Sequence, residues 1–133
     1  MTELNGGCLC SQIRYHSTET TRPATLCHCR SCRRASGSHV LGFVWVSLRG
    51  FRFTAGRPTE YRSSPPVVRT FCPRCGTPLT YWYEGDPNEI SLTIGSLDRP
   101  DLVPPVDHTW MSDAVGWDTS TDGLPRFPTD RAA

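Results

Sequence analysis

Apolar residues in the first hundred positions fall into short runs, and Gly, Pro or Asp separates one run from the next. The clearest run, 40–47, is rich in β-branched and aromatic residues, which favour strands. At 4–15 two short strands are predicted around a Gly-Gly pair, with Ile13 and Tyr15 alternating against polar neighbours. Further strands are predicted at 24–27, 51–54, 59–62, 67–71, 79–84 and 89–94. The pattern therefore predicts a mainly β protein of short antiparallel strands.

One short helix is predicted within this β pattern. Residues 30–36 are compatible with one or two helical turns, and Gly37 stands where a left-handed glycine commonly ends a helix. After Leu97 the pattern gives way to coil rich in Pro and Asp. Trp110 and Trp117 in this coil are expected to cover the core, because large aromatic side chains are usually buried.

The length of 133 residues predicts one domain spanning 1–133. Hydrophobic residues make up 37% of the chain, beside 11 Gly and 12 Pro, so the core is expected to be modest. A metal ion that binds only the folded chain adds its binding free energy to stability. Metal crosslinks would therefore contribute directly to the folding of such a chain.

Charge and hydropathy exclude two classes of partner. The net charge is +1, with 14 Arg and no Lys, and the arginines are scattered apart from Arg30, Arg33 and Arg34. A nucleic-acid-binding protein needs a clustered basic face, so no nucleic-acid partner is predicted. No run is long and apolar enough for a membrane span, and no secretory signal is predicted at the start.

The seven cysteines form three clusters, and their spacing is the most informative feature of the chain. An odd number of closely spaced cysteines fits metal binding in a reducing, cytoplasmic setting better than disulfides. Structural zinc takes four protein ligands, whereas catalytic zinc has three and an open position. Seven cysteines divide into four plus three, which predicts two zinc ions per chain. The clusters are Cys8 and Cys10; Cys27, Cys29 and Cys32; Cys72 and Cys75.

The last pair has the form of a zinc knuckle, in which two intervening residues let both sulfurs point at one ion. Gly76 follows it and permits the positive φ that such turns often need. A knuckle supplies two ligands, and Cys8 and Cys10 are the best candidates for the other two. The alternatives are ordinary buried cysteines, or a redox dithiol formed by Cys72 and Cys75.

The middle cluster, Cys27, Cys29 and Cys32, offers three thiols within six residues. Three protein ligands and an open position are typical of a catalytic zinc. Three thiolates on Zn²⁺ leave a net charge of −1, which the neighbouring Arg30, Arg33 and Arg34 are expected to offset.

A fourth protein ligand would close this second site. His28 is a poor candidate, because the side chain projects away from its two cysteine neighbours in an extended segment. His39 and His108 remain possible ligands. An iron–sulfur cluster is a further alternative, although it usually takes four cysteines.

An open, sulfur-rich zinc suits a thiol substrate. A thiol that enters the vacant position loses its proton, and the resulting thiolate can attack an aldehyde carbonyl. Neither step requires a redox cofactor, and no Gly-rich nucleotide-binding loop occurs in the sequence.

With these residues assembled, the chain resembles the glutathione-dependent formaldehyde-activating enzyme family, which includes centromere protein V-like proteins. The resemblance lies in segments spread over most of the chain in the family's order. They read GGCLCSQIRY, CHCRSCRRASGS, FVWVS, YRSS, RTFCPRCGTPL and GSLDRP, followed by His108 and DGLPRFP.

The resemblance implies a fold of the Mss4-like kind and a carbon–sulfur lyase that joins glutathione to formaldehyde, giving S-(hydroxymethyl)glutathione. It also implies which cysteines hold each ion. The structural zinc falls on Cys8, Cys10, Cys72 and Cys75, and the catalytic zinc falls on Cys27, Cys29 and Cys32. The expected partners are thus a small thiol and an aldehyde. The alternative is a non-catalytic zinc module that binds another protein, as some relatives do.

Residues beyond the ligands are harder to place. Arg33 and Arg34 are the local candidates for binding the carboxylates of glutathione, with solvated surface arginines as the alternative. The turn at 36–38 is expected either to line the pocket or only to end the helix. Ser63, Ser64 and Arg69 match family positions, but Arg69 could simply pair with an acidic side chain.

Overall fold

A computed structural model describes residues 2–119 and 121–131, and it confirms the mainly β prediction. Ten strands, one α-helix and three short 3₁₀ turns are formed by these residues. The strands are β1 (Leu4–Gly7), β2 (Arg14–Ser17), β3 (Thr20–Cys27), β4 (Leu41–Ser47), β5 (Phe51–Ala55), β6 (Thr59–Ser64), β7 (Val67–Phe71), β8 (Pro78–Tyr83), β9 (Glu89–Thr93) and β10 (Asp107–Thr109). The helix α1 is Arg30–Ser36, and the 3₁₀ turns are Ile94–Ser96, Pro100–Leu102 and Met111–Asp113.

A seven-stranded sheet forms the body of the molecule, in the order β10-β3-β4-β9-β8-β7-β6. Neighbouring strands are antiparallel except β10 and β3, which pair in parallel. The sheet is therefore mixed, with one parallel pair beside the antiparallel strands that the sequence predicted. In β4, the strand predicted most clearly, Phe43, Val44 and Val46 are buried.

A second sheet of three strands, in the order β1-β2-β5, contains the predicted N-terminal pair. Its Tyr15 is fully buried, packs against Phe51 and Phe53, and shares a 2.7 Å hydrogen bond with the hydroxyl of Ser96. Ile13, just before β2, is also fully buried. The alternation of apolar and polar residues read from the sequence thus marks the core-facing side of this sheet.

The helix α1 has the predicted boundaries. Cys29 caps its N-terminus, and the Sγ of Cys29 accepts a 3.2 Å hydrogen bond from the backbone N–H of Cys32. Gly37 ends the helix at φ 73°, and its N–H donates to the carbonyl of Arg33. The cap therefore connects the start of the helix to the cysteine cluster.

Two expectations for the C-terminal part were wrong. Asp107–Thr109 forms strand β10 instead of coil, held by backbone pairing with β3, which a run of three residues does not reveal in a sequence. Trp117 is 69% exposed and contacts the ring of His39, so it does not cover the core. Trp110 is half-buried against the cluster of Cys27, Cys32 and Phe43, which agrees with the prediction. None of the helices in the described ranges is long and apolar enough to cross a membrane.

Gly6 lies where β1 approaches the buried hydroxyl of Tyr15. A Cβ there would lie closer than 3.0 Å to that side chain and to the carbonyl of Ser96. We predict that Gly6→Ala lowers the free energy of unfolding by about 1–3 kcal/mol through overpacking, measured by urea denaturation. Gly95→Ala is the matched control, since a Cβ at Gly95 meets nothing within 4 Å. Equal stability of the two variants would contradict the packing argument.

Candidate metal centres

The four cysteines predicted to form a closed site do converge. Cys8 follows β1, Cys10 lies in the turn before β2, and Cys72 and Cys75 lie in the turn between β7 and β8. Their sulfur atoms all lie within 4.8 Å of one another. The Sγ–Sγ distance is 3.5 Å from Cys8 to Cys10 and 3.7 Å from Cys10 to Cys72. This cluster joins the two sheets.

The donor set fits zinc. A tetrahedral ion with Zn–S bonds of about 2.3 Å places its sulfurs roughly 3.8 Å apart, close to the two distances above. Backbone N–H groups also point at the sulfurs, as expected for ligands that carry negative charge. Ile13 donates to Cys8 Sγ at 3.3 Å, and Arg74 and Cys75 both donate to Cys72 Sγ at 3.4 Å. Gly76 adopts φ 81°, as the knuckle motif predicted.

The second cluster is formed where β3 passes into α1. Cys27 is the last residue of β3, Cys29 caps the helix and Cys32 lies in it, and their sulfurs lie within 4.8 Å of one another. Hydrogen bonds from Cys27 and then Cys32 lower the pKa of Cys29, whereas the bond to Cys29 raises the pKa of Cys27. The metal-free trio therefore favours one thiolate, and an entering metal ion would displace the other protons.

In the described ranges, no other His, Cys, Asp or Glu lies close enough to join this trio as a ligand. Both nitrogens of His108 are occupied, since Nδ1 lies 2.8 Å from His28 Nε2 and Nε2 lies 2.7 Å from Asp122 Oδ2. His39 packs on Trp117 instead. Neither histidine that the sequence left open as a fourth ligand takes that place in this structure.

His28 is turned away from the sulfurs, as predicted, and it anchors the cysteine segment from behind. It is 1% exposed, its Nδ1 lies 3.5 Å from an oxygen of Asp118, and its backbone N–H donates to the carbonyl of Thr109. Burial is the largest cause that lowers the pKa of His28. The histidine pair thus connects the Cys27–Cys29 segment to β10.

The trio opens into a cavity of about 750 Å³ on one face of the large sheet. Besides the three cysteines, its lining includes side chains from several strands, from α1 and from the C-terminal segment. Among them are Arg22, Arg30, Trp45, Ser63, Ser64, Arg69, Tyr81, Trp110 and Arg131.

Several predicted pocket residues are placed by this cavity. Ser63, Ser64 and Arg69 line it, whereas Arg33, Arg34 and the turn at 36–38 do not. That turn ends the helix, with the Ser36 hydroxyl donating to the Cys32 carbonyl. Arg33 and Arg34 are therefore not part of this cavity lining, which agrees with the alternative of surface arginines considered for them.

Arg69 is the residue whose role the sequence did not reveal. Its Nη2 lies 3.7 Å from Cys32 Sγ, its Nε donates to the Ser63 hydroxyl at 3.1 Å, and its guanidinium stacks 4.9 Å from the Tyr81 ring centre. Among the described residues it forms no ion pair with a carboxylate, so the acidic partner considered for it is not found. Arg69 is 37 positions from Cys32, and only the sheet brings the two together.

The far end of the cavity, away from the trio, is lined in part by Arg131 of the C-terminal segment. Arg131 pairs with Asp107 and donates to the Pro23 carbonyl at 3.1 Å. The guanidinium carbons of Arg131 and Arg22 lie 5.3 and 4.3 Å from the ring centre of Trp45. The far end of the cavity is therefore stabilised by an ion pair and by cation–π contacts.

Fold and site together define a mainly β protein with two cysteine clusters that could hold metal ions, one of them opening into a cavity. The model of the family described as glutathione-dependent formaldehyde-activating enzyme matches residues 3–113, and the chain belongs to that family. Membership supports an enzyme that acts on formaldehyde with glutathione.

A solved structure shares the fold. It is the crystal structure of a Rhodobacter sphaeroides protein, with a TM-score of 0.62 and 19% identity. The similarity covers 93% of this chain and 99% of that one. At this identity the comparison concerns the fold alone.

The two clusters predict different responses to loss of one thiol. We expect Cys72→Ser to lose about one metal ion per chain and to unfold the region where the sheets meet, because this cysteine is fully buried between them. Cys32→Ser should also lose one ion but keep a cooperative thermal transition. Metal analysis and thermal melts measure both. A Cys72→Ser variant with full metal content and unchanged melting would remove the closed-site assignment.

The histidine pair predicts a stability effect. His108→Ala leaves the buried Nε2 of His28 without its partner, so we expect a loss of about 1–3 kcal/mol in the free energy of unfolding. His39→Ala, which removes a contact with the exposed Trp117, should change it by no more than about 0.5 kcal/mol. Denaturant titration of the metal-loaded proteins compares them, and equal effects would contradict the anchoring role of His108.

Proposed function

We propose that this protein is a zinc-dependent enzyme of the carbon–sulfur lyase type. It joins a small thiol, glutathione in the first place, to formaldehyde and catalyses the reverse reaction. The observation that carries the proposal is the cysteine trio, which opens into a 750 Å³ cavity with no fourth protein ligand among the described residues. Membership of the formaldehyde-activating family supports the choice of thiol and aldehyde.

In this proposal each chain holds two zinc ions. Cys8, Cys10, Cys72 and Cys75 hold a structural ion, and the trio holds a catalytic one. Zinc bound to the trio supplies an open coordination position, where an entering thiol becomes deprotonated near neutral pH. Thiolate clusters of this kind persist in reducing compartments, which favours the cytoplasm.

The reaction is an addition that balances without a redox partner. The thiol sulfur forms a bond to the carbonyl carbon, the C=O π electrons move to oxygen, and that oxygen takes up a proton. The proton lost by the thiol balances the one gained by the carbonyl oxygen, so the product is a hemithioacetal, the S-hydroxymethyl adduct. The protein contributes a cavity of a size typical for small-molecule sites, walled on the side of the sulfurs by Tyr81 and Trp110.

Arg30 replaces Arg33 and Arg34 as the candidate for binding a glutathione carboxylate. It lines the cavity directly beside Cys29, is exposed, and makes no ion pair with the residues that the structure describes. By contrast, the cations at the far end, Arg22 and Arg131, are already paired with carboxylates. A guanidinium that lines the cavity and has no carboxylate partner among the described residues suits a carboxylate, which it can bind through two hydrogen bonds.

Exchange spectroscopy tests the reaction, because the uncatalysed addition already reaches equilibrium quickly. We expect the zinc-loaded protein to accelerate exchange between glutathione and its formaldehyde adduct, measured by NMR at fixed pH. Cys29→Ser, with the closed cluster intact, should lose the acceleration. No acceleration by fully zinc-loaded protein with glutathione or 2-mercaptoethanol would exclude the enzyme and favour the non-catalytic binding module.

A further inference from the structure

We propose that Arg69 is the counter-cation of the cysteine trio and makes its open position selective for anionic sulfur over neutral ligands. The inference rests on the proposed function, since it takes the trio to hold zinc. Arg69 reaches Cys32 Sγ from β7, a strand of the same sheet as β3, and lines the cavity into which the trio opens.

The burial of Arg69 is the first argument. Its exposed fraction is 9%, although arginine is among the residues least often buried unless paired. In the described ranges no carboxylate lies within ion-pair distance of it, whereas Arg14, Arg22, Arg62 and Arg131 each have one. A buried guanidinium needs compensating negative charge, because desolvation of an unpaired charge is costly.

The contacts of Arg69 identify that charge. One nitrogen reaches Cys32 Sγ at 3.7 Å, and the Ser63 hydroxyl and the Tyr81 ring hold the guanidinium in place. Two hydrogen bonds of this kind use only part of the five N–H groups of an arginine. Arg69 also lines the cavity. The guanidinium is thus fixed against the sulfur of Cys32, with N–H donors left for a further anion.

Charge counting gives the consequence. Three thiolates and Zn²⁺ carry a net charge of −1. Entry of a fourth thiolate would make this local charge −2 in a poorly solvated site. With Arg69 included, the same step goes from 0 to −1. The sequence suggested that Arg30, Arg33 and Arg34 offset this charge, but Arg33 and Arg34 lie off the cavity and Arg30 is exposed. Of the cations considered, Arg69 is the buried one in contact with a trio sulfur.

The test follows ligand binding to the cobalt-substituted protein, whose visible spectrum reports on the open position. 2-Mercaptoethanol is the anionic sulfur probe and imidazole is the neutral probe, both titrated at one pH. We expect Arg69→Met to weaken thiol binding about tenfold or more, because a charge-assisted contact is lost. Imidazole affinity should change less than about twofold, since a neutral ligand adds no charge.

Two further variants complete the design. Arg69→Lys keeps the positive charge, and its thiol affinity should stay within about threefold of that of the natural protein. This variant tests the proposal even if Arg69→Met does not fold. Arg62→Met removes an exposed arginine on β6, the strand beside β7, where it pairs with Glu84; this variant should change neither affinity. Equal losses for both probes, or a tenfold loss of thiol affinity alone in Arg69→Lys, would overturn the proposal.

The outcomes separate this inference from the proposed reaction. Selective thiol binding that depends on Arg69, without accelerated formaldehyde exchange, would keep the counter-cation and reject the enzyme. Accelerated exchange with unchanged thiol selectivity in Arg69→Met would support the enzyme and reject the counter-cation role of Arg69.

Discussion

Crowding of sulfur atoms is the constraint on which the rest of this structure depends. Seven thiols stand in two groups, and within each group every sulfur lies within 4.8 Å of the others. Several thiolates cannot share so small and partly buried a volume unless protons or a cation compensate their repulsion. Each cluster therefore needs compensating positive charge, and the groups that surround the sulfurs differ between the two clusters.

The closed cluster is enclosed by its own turns. Backbone N–H groups from the segments around Cys8 and Cys72 point at the sulfurs, and four thiols complete the set. The trio has fewer such donors and faces a cavity, with the guanidinium of Arg69 at its side. The four-cysteine cluster is thus suited to joining two sheets, and the trio is suited to binding a further ligand from the cavity.

The scaffold around the trio comes from segments that are distant in sequence. Strand β10 and the His28–His108 pair hold the segment that carries Cys27 and Cys29. Strand β7 brings Arg69 into contact with Cys32. Arg131, beyond residue 113 where the family match ends, lines the far end of the cavity and bonds the Pro23 carbonyl.

Local patterns in the sequence determined most strands, the boundaries of α1 and the grouping of the cysteines. These features depend on neighbouring residues: alternation within a strand, the glycine after a helix, and the spacing that lets two thiols meet. The orientation of His28 away from the sulfurs follows from the same alternation.

Only the tertiary structure decided which charges surround the site. Proximity in sequence favoured Arg33 and Arg34, but neither lines the cavity, and the sheet brings Arg69 there instead. Strand β10 forms because residues 107–109 pair with the backbone of β3. A run of three residues is too short to show a strand pattern in the sequence. Contacts between distant segments depend on strand order and register, and no local spacing encodes these.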